Sequence, residues 1–180
     1  EVFTITQKVG EWLGSLNYFG VFGIDFLADE DYVYFVELNP RFQGSTQLLT
    51  DRQMEIGKIP LSFFHLVPFL DGISVEPSFI EEYNRIRTPL NVSQILLHNL
   101  LGCNQLVVNS VIPGRYQIEN GSLEYISPAQ VLSETRSYDE IVIQETPIRG
   151  TTVLKDADEI CRVYTYREVL EKNGKTLNSF

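Results

Sequence analysis

The sequence predicts an α+β chain: an antiparallel sheet with packed helices first, then a small β-rich subdomain. Three observations carry that reading. Apolar residues at Val2, Ile5, Val9, Trp12, Leu13 and Leu16 recur at helical spacing, giving one face that can pack on a sheet. Two runs rich in aromatic and β-branched residues, GVFGIDFL and YVYFVEL, flank the acidic break Ala28-Asp29-Glu30-Asp31 and read as a hairpin. After about Pro77, short apolar runs alternate with turn signals, as in a mostly antiparallel sheet. The division is placed there, giving segments 1–77 and 78–180.

Composition narrows the function classes. Of 180 residues, 43% are hydrophobic, enough to bury a core in one ordinary domain or two small ones. A formal net charge of −10 argues against nucleic acid or an anionic membrane as partner. No apolar run approaches the ~18 residues that span a bilayer, and no signal-peptide pattern opens the sequence. Cys103 and Cys161 fit no metal or disulfide framework, so free thiols in a reducing cytoplasm are expected. The sequence begins at Glu1, without methionine and within a helical pattern, which predicts an excised part of a longer protein.

In order along the chain, the first helix covers Glu1 to Leu16, loosened at Gly14-Ser15, with Trp12 and Tyr18 expected in the core. The hairpin follows, and Asn39-Pro40 ends its second strand because proline donates no ladder hydrogen bond. The polar segment RFQGSTQLLT reads as a loop. In KIPLSFFHLVPFL, Pro60 opens a short helix and Pro68 ends or kinks it. His65 lies inside that apolar run with no second histidine or cysteine near it, so it is expected to be packed rather than ligating. A linker or short connecting helix then runs to about Asn84. Strands are predicted at Val92–Leu97, Leu106–Ile112, Arg115–Ile118, Leu123–Ile126, Glu140–Gln144 and Glu159–Tyr166. Asn120-Gly121 and Asn173-Gly174 are turn signals.

The chemistry gathers in the hairpin. Side chains alternate across a strand, so Glu37 and Asn39 share a face. If strand partners have numbers that sum to 62, Asp25 stands opposite Glu37. Two carboxylates and an amide then meet on one surface, the oxygen donor set of a hard cation. Both acids lie in otherwise apolar strands, and a buried carboxylate needs a partner, so a cation is expected. Acids on the solvent face of a hairpin are common, and the apolar setting of these two favours the metal reading over that one. Arg41 follows at once with a fixed positive charge.

GIDF, followed by VELNPRFQGSTQ, resembles the C-terminal half of the ATP-grasp superfamily, which includes biotin carboxylase, the large subunit of carbamoyl phosphate synthetase and D-alanine–D-alanine ligase. The likeness covers roughly residues 9–70, and the ELNPR form is similar to the biotin carboxylase and carbamoyl phosphate synthetase branch. It implies the C-terminal lobe of an ATP-grasp fold. It further implies that Asp25 binds a first Mg2+ (or Mn2+), that Glu37 bridges two such ions, and that Asn39 holds the second. Arg41 would stabilise phosphate or a developing oxyanion. Gly44, Ser45 and Thr46 are the candidates for binding acyl phosphate or a substrate carboxylate. The implied reaction uses ATP as co-substrate to join a small-molecule carboxylate to an amine or thiol through an acyl phosphate.

The family closes two lobes over its nucleotide, and the other lobe carries a glycine-rich loop and phosphate-binding lysines. Lys8 and Lys58 lie in no such loop. The chain is therefore expected to supply the metal-holding half of a site, to depend on an N-terminal lobe of the same protein, and to bind ATP weakly alone. Three other readings stand beside this one. A biotin-carboxylase-like activation of bicarbonate is disfavoured because Gly44-Ser45-Thr46 replaces the acid and histidine usual there. The others are a non-catalytic nucleotide- or metal-binding module of the same fold, and a hairpin that binds calcium structurally. Arg85, Arg87 and Arg115 are weak candidates to approach an anionic substrate, and His98 is expected to be structural.

Overall fold

The computed structural model describes residues 1–85, 91–109, 111–148, 150 and 152–170. It contains antiparallel sheets and a few helices, in two compact units, Glu1–Thr88 and Pro89–Phe180.

In the first unit, helix α1 (Val2–Ser15) packs by its Ile5, Val9 and Leu13 ridge, the i, i+4, i+8 row of one helix face. Leu13 is buried, while Trp12 is 54% exposed, so the expectation of a core Trp12 is overturned. Trp12 adjoins Leu13 in sequence and therefore points some 100° away from the buried ridge. Gly10 lies beside that ridge, three residues before Leu13, and an added Cβ there would come to 3.5 Å from the Phe22 ring. The helix closes with Asn17 in the left-handed region (φ 60°). Tyr18 N–H donates to Leu13 O and Asn17 N–H to Gly14 O, which satisfies two carbonyls of the last turn.

Strands β1 (Gly23–Ala28) and β2 (Val33–Asn39) form a two-stranded antiparallel sheet. Asp29 shapes the turn, its carboxylate accepting from Asp31 N–H and Tyr32 N–H. Helix α2 (Thr46–Glu55) takes in the second half of the segment expected to be loop. Its sequence is polar, and the helix forms because Leu48 and Gln53 turn inward. The buried Gln53 Nε2 donates to the Tyr83 hydroxyl, and its Oε1 accepts from Leu61 N–H. Pro60 precedes helix α3 (Leu61–Phe64) and Pro68 lies in a 3-10 turn, Val67–Phe69, as their fixed φ predicts. The expected linker contains helix α4 (Pro77–Arg85). Phe79 and Tyr83 bring it onto Phe64, and the Tyr83 hydroxyl donates to Ile59 O. Those contacts place α4 with the first unit, so the units divide beyond Pro77.

The second unit is a five-stranded antiparallel sheet in the order β3-β9-β7-β5-β6. Its strands are β3 (Ser93–His98), β5 (Gly114–Glu119), β6 (Ser122–Ser127), β7 (Glu140–Gln144) and β9 (Glu159–Thr165). A separate pair joins β4 (Gln105–Leu106) to β8 (Val153–Leu154). Among the described residues of the run expected as a strand from Leu106 to Ile112, only Leu106 is therefore strand. Gly150 N–H donates to Val107 O there. Asn120 (φ 50°) and Gly121 (φ 74°) both take the left-handed conformation that a two-residue β5–β6 turn requires. Tyr116, Ile141, Ile143 and Cys161 form the core on one face. The Asn173-Gly174 turn signal lies outside the described residues.

Candidate functional site

The ladder sets the geometry of the hairpin site. Gly23 pairs with Asn39, Ile24 with Leu38 and Asp25 with Glu37, the register expected from the sequence. Beyond Asp25 the register shifts, so that Phe26 pairs with Phe35 and Leu27 with Tyr34. Val36 is the extra residue, a β-bulge of the kind that re-aims side chains. One face of the sheet thus carries Gly23, Asp25 and Leu27 from β1 and Tyr34, Glu37 and Asn39 from β2. Without the bulge, Phe35 would stand on the acid face in place of Tyr34. The sequence hid this, because one inserted apolar residue leaves the composition of YVYFV unchanged.

Asn39 is 8% exposed, and its Nδ2 donates to Asp25 Oδ2 at 3.4 Å, at the long end of hydrogen-bond range. That orientation leaves its carbonyl oxygen for a cation. Asp25 and Glu37 are exposed, as are Leu27 and Tyr34 on the same face. The expectation that burial would force a counter-ion on the two acids is therefore overturned, since desolvation does not demand one. What remains in favour of a cation is the donor set itself: two carboxylates directly opposed across a ladder, with an amide beside them. Among the described residues no group of three or more histidine, cysteine, aspartate or glutamate side chains is placed to hold a metal. An open shelf of two acids and an amide fits magnesium, which keeps several waters and takes few protein ligands.

Arg41 follows the strand through a tight bend in which its N–H donates to Asn39 O at 2.8 Å. Its side chain is exposed, with Nη1 donating to Phe42 O at 3.0 Å. Gln43 folds back across the start of β1, so that an added Cβ at Gly23 would fall 2.1 Å from its side-chain carbonyl carbon. Gly44, Ser45 and Thr46 lead into α2. Thr46 Oγ1 accepts from Gln43 N–H, so that hydroxyl serves the bend itself. An added Cβ at Gly44 would meet nothing within 4 Å.

His65 is packed, as the sequence predicts. It is half-buried, and its Nδ1 accepts from Val21 N–H at 3.2 Å while its ring lies 4.7 Å from that of Phe42. Gly20, with φ 140° and no room for a Cβ beside His65, was the available signal.

The other weak candidates have different occupations. Arg85 pairs with Glu82 on an exposed helix face. Arg115 is 12% exposed and paired with Glu140 at 3.6 Å, so it cannot approach a substrate. Arg87 lies outside the described residues. His98 Nδ1 sits 3.0 Å from Ala157 O, a structural contact. Cys103 and Cys161 are free thiols, and burial raises the Cys161 thiol above its usual range. Among the described residues, no helix is long and apolar enough to cross a membrane.

A family model of the ATP-grasp domain matches residues 1–45. That stretch spans α1, both strands of the hairpin and the segment through Arg41 to Ser45. Neither a curated protein nor a solved structure matches the chain.

Proposed function

We propose that the hairpin is the magnesium shelf of an ATP-grasp ligase, which joins a carboxylate to an amine or thiol through an acyl phosphate. One observation carries the reading. Within the segment that matches the ATP-grasp domain, the ladder sets Asp25 opposite Glu37, with Asn39 on the same face and Arg41 immediately after it.

Asp25, Glu37 and Asn39 would hold the Mg2+ or Mn2+ ions, Asp25 the first, Asn39 the second through its carbonyl oxygen, and Glu37 both. Bound there, the ions supply positive charge to the β- and γ-phosphates. The substrate carboxylate oxygen attacks the γ-phosphorus, the bond to the ADP oxygen breaks, and an acyl phosphate forms. The amine nitrogen then attacks the acyl carbon, phosphate leaves with the C–O bonding pair, and the nitrogen loses a proton. Arg41 contributes its guanidinium to the transferring phosphoryl group, a charge that needs no reorganisation during the step. Gly44 and Ser45, at the rim, contact the substrate carboxylate.

Hydroxylamine trapping tests this in the full-length protein. With ATP, magnesium and a set of carboxylic acids, hydroxamate should form in step with ADP. Glu37→Gln should slow both by at least about 1,000-fold, the scale of a lost electrostatic group at a phosphoryl transfer. ADP release without hydroxamate for any acid, or turnover that survives Glu37→Gln, would sink the proposal.

A further inference from the structure

The two segments that bracket the hairpin meet at one side chain. His65 caps the C-terminal end of α3. From its position Nδ1 accepts from Val21 N–H at 3.2 Å, four residues before Asp25. Its ring lies against Phe42 at 4.7 Å and Phe69 at 6.0 Å. Phe42 directly follows Arg41, and its carbonyl accepts from Arg41 Nη1.

The backbone is shaped to receive this ring. Gly20 has φ 140°, a conformation that L side chains rarely adopt, and an added Cβ would lie 2.5 Å from His65 Nδ1. Tyr18 holds the same lead-in from the other side, its hydroxyl donating to Val21 O at 2.7 Å. A phenylalanine at position 65 would fill similar volume against Phe42 and Phe69. It would, however, leave the part-buried Val21 N–H facing carbon, which costs more than a hydrogen bond to water. An imidazole that accepts at Nδ1 carries its proton on Nε2, so the contact also fixes the tautomer.

We propose that His65 is the positioning residue of this site. Its acceptor nitrogen fixes the chain entering β1, its ring fixes the bend leaving β2, and together they present Arg41 beside the Asp25–Glu37 face. This rests on the reading of that face as a metal–phosphate shelf, and it assigns His65 no contact with substrate. The acids themselves are held by the β1–β2 ladder, so His65 governs the phosphate side of the site rather than the cation side.

The test uses magnesium pyrophosphate as a phosphate probe and Mn2+ alone as a cation probe on the full chain. His65→Phe keeps the ring but not the acceptor, and His65→Asn keeps an oxygen acceptor near the Nδ1 position but not the ring. His65→Phe should weaken pyrophosphate binding roughly five-fold, the factor expected from one lost hydrogen bond, and leave Mn2+ binding unchanged. His65→Asn should restore binding to within about two-fold, because an acceptor again meets Val21 N–H. The wild-type imidazole should show the Nε2-protonated nitrogen signature, with a coupling between Val21 N–H and Nδ1. Wild-type pyrophosphate binding in His65→Phe overturns the proposal. So does an equal loss in both variants, which would mean that restoring an acceptor for Val21 N–H restores nothing. If Arg41→Ala and Glu37→Gln also leave pyrophosphate binding unchanged, the shelf reading falls and takes the His65 role with it. If those two weaken binding while His65→Phe does not, only the His65 role falls.

Discussion

Arg115 and Glu140 show what a committed charge looks like in this molecule, by contrast with Asp25 and Glu37. Arg115 Nε stands 3.6 Å from Glu140 Oε2, with side chains 12% and 9% exposed. Arg115 Nη1 donates to Glu134 O, and Glu140 Oε2 accepts from Arg136 N–H. Removing one member strands the other in a dry setting, so Glu140→Ala should cost about 3–5 kcal/mol in urea unfolding. Replacing both by apolar residues should cost much less. Glu159 offers a pH-dependent case. The hydrogen bond from Arg162 holds its carboxyl below the usual carboxylate range. A folded-state value below the unfolded one means stabilisation is present above the ordinary glutamate pKa of about 4.3 and is lost as pH falls past it. Arg162→Gln should therefore flatten the decline in melting temperature on acidification below about pH 5. A decline as steep as the wild type's would contradict that linkage. Among the described residues no arginine or lysine pairs with the hairpin acids, and their exposure leaves them open to a ligand.

At the scale of elements, a single clasp decides where the first unit ends. Gln53 and Tyr83 tie α2, α4 and the segment at Ile59 together through two hydrogen bonds at one hydroxyl. Tyr83→Phe leaves the Gln53 amide, in a buried residue, without its acceptor, and should cost about 1–3 kcal/mol. Burial also raises the Tyr83 phenol above its usual range. A raised folded-state value means stability is kept below the ordinary phenol pKa of about 10 and lost as pH climbs through it. Part of the alkaline loss should vanish in Tyr83→Phe, measured by urea midpoints on either side of that pH. This clasp was not legible in the sequence, because Gln53 and Tyr83 sit in polar stretches whose patterns are weak. α2 was hidden for the same reason. By contrast, the Asp25–Glu37 register followed from two apolar runs and the acidic turn between them. The Asn120-Gly121 turn followed from two residue types that tolerate positive φ. The bulge at Val36 was invisible, since pairing, not composition, defines it.

At the scale of the whole molecule, two units with separate sheets share one chain, and the family match falls entirely in the first. The strand pattern of the second was largely readable because its runs are short, apolar and separated by turns. Its chemistry was not, and the buried Asn99 amide is spent on structure, donating to Cys103 O and Lys155 O. The proposed function therefore rests on the hairpin, within the matched segment. Paramagnetic broadening by Mn2+, followed residue by residue in amide spectra of the full chain, tests that shelf most directly. The account predicts selective loss of signals around Gly23–Leu27 and Glu37–Arg41, abolished in Asp25→Asn and Glu37→Gln and reversed by excess Mg2+. Broadening spread over the acidic surface, or undiminished in both variants, would contradict it.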